Sequence, residues 1–122
     1  MSKGGGVRVL GTDPGTAITG YGVVESDGNQ LVALTYGVIT TPPDWSLSRR
    51  LQEIFRRLQD VIVGWHPDSV AVEELFFSKN ARTALAVGHA RGVALLAFAE
   101  AGLPVYEYKP AEVKEAVTGY GA

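Results

Sequence analysis

Val7-Arg8-Val9-Leu10-Gly11-Thr12-Asp13-Pro14-Gly15-Thr16 is an apolar run that stops at an acid and a turn-forming Pro-Gly pair. Its valines favour an extended chain, and proline followed by glycine ends one. The same shape returns in Asp68-Ser69-Val70-Ala71-Val72-Glu73-Glu74. If the two runs are neighbours in one sheet, Asp13 and Glu73 stand about 5 Å apart, the distance between strands. Two carboxylates that close repel unless something positive lies between them, and a divalent metal ion is the natural occupant. Strand alternation turns Glu74 to the opposite side, which leaves it out of the pair.

The elements around these two runs are readable from pattern. Ile18–Glu25, a turn at Asp27-Gly28-Asn29 and Gln30–Thr40 complete a three-stranded antiparallel meander that Pro42-Pro43 ends. Ser46 offers an N-cap. After it Leu47, Leu51, Ile54, Phe55, Leu58, Val61 and Ile62 recur at spacings of three and four, one apolar helical face reaching Gly64. Arg49, Arg50, Glu53, Arg56, Arg57 and Asp60 lie opposite. His66-Pro67-Asp68 turns the chain into Ser69–Glu73, whose continuous apolar character predicts burial on both faces. A second helix is expected from Asn80 to Ala101, with Gly102 as its C-cap and an unusual share of alanine and glycine. Leu103–Tyr108 reads as a fifth strand, and Pro110 opens a short helix that Gly119 closes.

With 122 residues, 46% of them hydrophobic and 20% charged, the chain fits one domain with one sizeable core. Residues 1–6 read as a flexible tail and 7–122 as the domain. The absence of cysteine excludes disulfides and thiolate metal sites, leaving carboxylates as ligands. No apolar stretch approaches the roughly 18 residues of a membrane-spanning helix. Met-Ser-Lys-Gly-Gly-Gly also lacks the apolar segment of a signal peptide, so a cytoplasmic protein is expected. A net charge of −2 does not mark the whole molecule as a nucleic-acid binder. Locally, Leu75 through Ala99 contains no acid but includes Lys79, Arg82 and Arg91. This window is either a solvated helix face or a phosphate-facing surface beside an acidic metal site.

The order β-β-β-α-β-α-β-α is that of an α/β, ribonuclease-H-like domain. Its five-stranded mixed sheet joins an antiparallel meander to a parallel half, with helices on both faces. Right-handed crossovers put the fourth strand beside the first, which brings Asp13 and Glu73 together. The blander readings make Asp13 a turn acid capping Gly15 or Thr16 and Glu73 a surface acid past a strand.

Several ordered motifs are more specific. Leu10-Gly-Thr-Asp-Pro-Gly-Thr16 with Thr19-Gly-Tyr-Gly22, Ala71-Val-Glu-Glu-Leu-Phe-Phe77 with Lys79-Asn80, Gly88-His-Ala-Arg-Gly92, and Val105-Tyr-Glu-Tyr108 with Val113-Lys114 closely resemble the RuvC Holliday-junction resolvases. The likeness runs from Val7 to the end. It implies a bacterial homodimer that nicks four-way DNA junctions in symmetric pairs during recombination and repair, alongside a branch-migration complex. By the same resemblance Asp13 and Glu73 are catalytic metal ligands for Mg²⁺ or Mn²⁺, two ions per site, in phosphodiester hydrolysis. Phe76 matches an aromatic set against unstacked bases, with core packing as its alternative. Lys79 and Arg82 would meet phosphates, Asn80 would do so or cap its helix, and Lys114 matches a basic position near the scissile phosphate. Structural roles are expected for His66 and His89, and a dimer interface on the small-residue helix.

The family carries two further metal-site residues on a terminal helix, beyond the region resembling Gly119-Tyr-Gly-Ala122. The expectation is therefore that the C-terminal part of the domain is missing and that these 122 residues alone are nearly inactive. Three other functions stay open: a non-catalytic junction-binding dimer, a YqgF-like ribonuclease of the same fold, and an actin-like phosphotransferase half. The last rests on Asp13-Pro-Gly-Thr16 with Gly20 and Gly22.

Overall fold

The computed structural model describes residues 6–73 and 81–108. Strands β1 (Val7–Asp13), β2 (Ile18–Ser26) and β3 (Leu31–Thr40) form the antiparallel meander, followed by helix α1 (Leu47–Trp65). Strand β4 (Ser69–Glu73), helix α2 (Ala81–Glu100) and strand β5 (Val105–Tyr108) make the parallel half. The strand order is β3-β2-β1-β4-β5, so β4 does lie beside β1. Strand boundaries agree with the sequence reading to within two residues. The helix expected after Pro110 lies outside the described residues.

One cluster of fully buried side chains makes the core. Leu10, Val23, Ile39, Val70 and Val72 of the sheet meet Ile54 and Leu58 of α1 and Ala90, Ala94, Ala97 and Phe98 of α2. Register explains why these sheet residues share a face, since Leu10 is paired with both Val23 and Val70 and their neighbours alternate with them. Each large aliphatic or aromatic side chain so buried contributes about 1.5–3 kcal/mol. The alanines let α2 sit close against both the sheet and α1. Leu47, expected on the apolar face, is exposed; it lies in the first turn of α1, ahead of Ile54, the first fully buried position.

β4 departs from expectation. Val70 and Val72 are buried, but Ser69 and Ala71 are only half-buried and Glu73 is exposed. Both described helices cover the same side of the sheet, so the other side of β4 is open among the described residues.

Local caps fix where the helices begin and end. The Ser46 hydroxyl accepts the Arg49 N–H at 3.3 Å, the N-cap read from sequence. His66 closes α1 in the left-handed conformation, φ 50°, and its N–H donates to the Ile62 carbonyl at 2.9 Å. That is a structural role, as expected. Gly102, at φ +71°, closes α2 in a conformation that glycine adopts without strain.

Candidate active site

The parallel ladder between β1 and β4 runs from Val9↔Ser69 to Thr12↔Val72. Asp13 and Glu73 are the next residue on each strand, so their backbones stand about one interstrand spacing, roughly 4.8 Å, apart. Gly11 and Ala71 are partners in this ladder and lie on the same side as the two acids. That side faces away from the core, and both Asp13 and Glu73 are exposed. A shallow cleft of about 280 Å³ is lined by Gly11, Thr12, Asp13, Gly20, Tyr21, Ala71 and Glu73. With Gly11, Gly20 and Ala71 beside the carboxylates, the floor is nearly bare backbone among the described residues.

The turn after Asp13 is built without its carboxylate. The Gly15 N–H donates to the Thr19 hydroxyl at 3.2 Å, and that hydroxyl donates back to the Gly15 carbonyl at 2.7 Å. A Cβ on Gly15 would stand 2.4 Å from the Ile18 carbonyl oxygen, so only glycine fits this turn. The Thr16 hydroxyl ties the turn to α2 through the Ala86 carbonyl at 2.8 Å, and the Thr41 hydroxyl donates to the Thr16 carbonyl at 2.7 Å. Among the described residues, no hydrogen bond or ion pair reaches the carboxylate of either Asp13 or Glu73. The reading of Asp13 as a cap for Gly15 is thereby removed. One more polar group is left over: the buried Thr12 hydroxyl has no hydrogen-bond partner among the described residues.

Behind Glu73 the structure places a residue that the sequence reading assigned elsewhere. Arg91 of α2 is 8% exposed. Its Nη1 donates to the Glu73 carbonyl at 2.6 Å, and its Nη2 is ion-paired with the Glu107 carboxylate. Arg91 therefore belongs to the interior and not to a phosphate-facing surface. The signal was present: Arg91, Ala94 and Phe98 follow one another at spacings of three and four, which puts Arg91 on the stripe of α2 that meets the core.

Of the other candidates, Arg82 is exposed in the first turn of α2. Phe76, Lys79, Asn80 and Lys114 lie outside the described residues. His89 is exposed on α2, away from the core stripe. No group of three or more His, Cys, Asp or Glu side chains able to hold a metal ion occurs among the described residues. Asp13 and Glu73 are the two carboxylates that line the cleft. Exposed, unpaired oxygen donors of this kind suit a hard divalent cation.

The profile of the family described as crossover junction endodeoxyribonuclease RuvC matches residues 9–122. The chain belongs to the RuvC family. It is 60% identical over 113 residues to the RuvC protein of Desulforamulus reducens, a match spanning 93% of this chain and 69% of that one. With the RuvC of Heliobacterium modesticaldum the identity is 59% over 113 residues, covering 93% of this chain and 70% of the relative. Among solved structures, Thermus thermophilus RuvC in complex with Holliday junction substrate superposes with a TM-score of 0.83 at 39% identity, over 90% of this chain and 69% of that one. The ribonuclease-H-like architecture is thus shared with a RuvC protein caught on a junction.

Proposed function

We propose that this chain is a structure-selective endonuclease that resolves four-way DNA junctions by metal-dependent phosphodiester hydrolysis, with paired symmetric nicks, in recombination and repair. One observation carries the reading. Asp13 and Glu73 end adjoining strands on the open side of the sheet, and among the described residues nothing neutralises them. RuvC family membership supplies the substrate class.

In this reading the Asp13 and Glu73 carboxylates hold Mg²⁺ or Mn²⁺. Bound there, such an ion would supply Lewis acidity, lowering the pKa of a water and screening charge on a phosphodiester. Two carboxylates provide four oxygens, whereas each ion takes about six. The small Gly11, Gly20 and Ala71 leave room, among the described residues, for a phosphodiester beside the carboxylates. Phe76 stacks on bases freed at the crossover, while Lys79, Asn80, Arg82 and Lys114 contact phosphates.

A homodimer places two such sites across the two-fold symmetry of a junction. Support for α2 as its interface comes from Leu85 and Leu96, 64% and 54% exposed. Between them lie Gly88 and Gly92, where an added Cβ would meet nothing within 4 Å. These four residues fall on one helical face at spacings of three and four, so a second helix can approach closely. A bacterial cytoplasm and a branch-migration complex as partner complete the proposal. No described helix is long and apolar enough to cross a membrane.

Asp13→Asn and Glu73→Gln test this reading. In a protein carrying the whole RuvC domain, each is expected to lower cleavage of a labelled four-way junction in Mn²⁺ by at least about 100-fold, while junction affinity stays within about threefold, because phosphate contacts come from elsewhere. Equal loss of binding and cleavage, or cleavage retained, would overturn it. Preference for an RNA duplex over the junction would instead point to a ribonuclease.

A further inference from the structure

We infer that Arg91 is a positioning residue of the metal site, fixing the backbone from which the Glu73 carboxylate projects. The inference rests on the assignment of Glu73 as a metal ligand. Glu73 is paired with Tyr108 of β5, whereas the ladder between β4 and β1 stops one pair short of it, at Thr12↔Val72. A carboxylate holds a cation well only if its backbone is pinned, since useful ligand geometry tolerates errors of only about 0.5 Å.

Arg91 supplies the pin. Its helix neighbours Ala90, Ala94 and Phe98 are fully buried, so it projects from a rigid base. Nη1 holds the Glu73 carbonyl at 2.6 Å while Nη2 holds Glu107 on β5. The planar guanidinium cannot move one contact without moving the other. Together they tie the ends of β4 and β5 to α2, on the side of the sheet opposite the cleft. A direct phosphate contact is excluded by geometry: Arg91 is 8% exposed and both of its Nη groups are engaged.

Mn²⁺ binding followed by electron paramagnetic resonance tests the inference without requiring turnover. Arg91→Met is expected to weaken Mn²⁺ binding by about 10-fold or more, the usual scale for removing a group that orients a metal ligand. Arg91→Lys keeps the charge but reaches one acceptor at a time, and should weaken it by about 3- to 10-fold with the fold intact by circular dichroism. Glu107→Gln leaves the Glu73 contact in place and should cost only about two- to threefold. Junction affinity should be unchanged in all three. Asp13→Asn is the control that separates the two claims. If it weakens Mn²⁺ binding while folded Arg91→Met and Arg91→Lys do not, the role of Arg91 is overturned and the metal site stands. Should Asp13→Asn itself leave Mn²⁺ binding unchanged, the metal assignment fails and takes this inference with it. If neither Arg91 variant folds, Arg91 is structural and the inference is again overturned.

Discussion

The two ends of the β1–β4 pair carry similar charges and treat them in opposite ways. At the end where the strands begin, Arg8 Nε meets the Glu25 carboxylate at 2.9 Å and its Nη1 donates to the Trp65 carbonyl at 2.6 Å. The Arg8 N–H reaches the Asp68 carboxylate at 2.8 Å, and the Asp68 N–H returns to the Arg8 carbonyl at 2.8 Å. At the end where the strands stop, another arginine binds another carbonyl and glutamate, Arg91 to Glu73 and Glu107. Yet there the carboxylates of Asp13 and Glu73 are left out. One end uses its acids to hold the fold together. The other keeps two acids on a pinned scaffold and unpaired among the described residues, an arrangement that makes sense for a cation and a phosphodiester.

This contrast can be broken at either end. In the whole RuvC domain Asp13→Asn or Glu73→Gln should lower junction cleavage by about 100-fold or more without loss of stability. Relief of repulsion between two exposed acids should leave the unfolding free energy unchanged or raise it by up to about 1 kcal/mol. Arg8→Ala should do the reverse, lowering stability by about 1–3 kcal/mol in urea unfolding while Mn²⁺ affinity of the folded protein is unchanged. If Arg8→Ala weakened Mn²⁺ binding as much as Asp13→Asn, the two ends would not be functionally distinct.

Smaller effects sharpen the same picture. The Thr12 hydroxyl is buried without a partner among the described residues, so Thr12→Val should be neutral or stabilise by up to about 1 kcal/mol. Destabilisation would reveal a hydrogen bond to Thr12 beyond those residues. Asp27 belongs to the tied end, in the turn that joins β2 and β3, and its carboxylate accepts the N–H groups of Asn29 at 3.0 Å and Gln30 at 2.9 Å. The Asn29 contact first and the Gln30 contact second hold its pKa below the ordinary carboxylate value. Because the folded-state pKa is depressed, its small contribution is present above the unfolded value and lost as pH falls through the folded one. Carboxyl NMR titration should show Asp27 titrating below 3.8. Asp27→Asn should remove that acid-side dependence.

How much was legible beforehand follows from the physics of each feature. The strands declared themselves because runs rich in β-branched residues end at Pro-Gly, Asp-Gly and Pro-Pro breaks, and α1 because its apolar residues keep helical spacing after Ser46. The pairing of Asp13 with Glu73 was legible because chain order constrains which strands adjoin. Arg91 was misread because its charge was weighed and its place on the α2 stripe was not. Burial of an arginine depends on partners far away in sequence, here 18 residues back to Glu73 and 16 on to Glu107. The openness of β4 on one side was also hidden, since an apolar run such as Val70-Ala71-Val72 does not reveal which of its sides is covered.

The most direct test is paramagnetic broadening of backbone amide signals by substoichiometric Mn²⁺. Gly11–Asp13, Gly20 and Ala71–Glu73 should broaden first, while Arg8, Glu25 and Asp68 at the other end of the strands stay sharp. Broadening that begins around Arg8, Glu25 and Asp68, or that spares Asp13 and Glu73, would contradict the metal assignment.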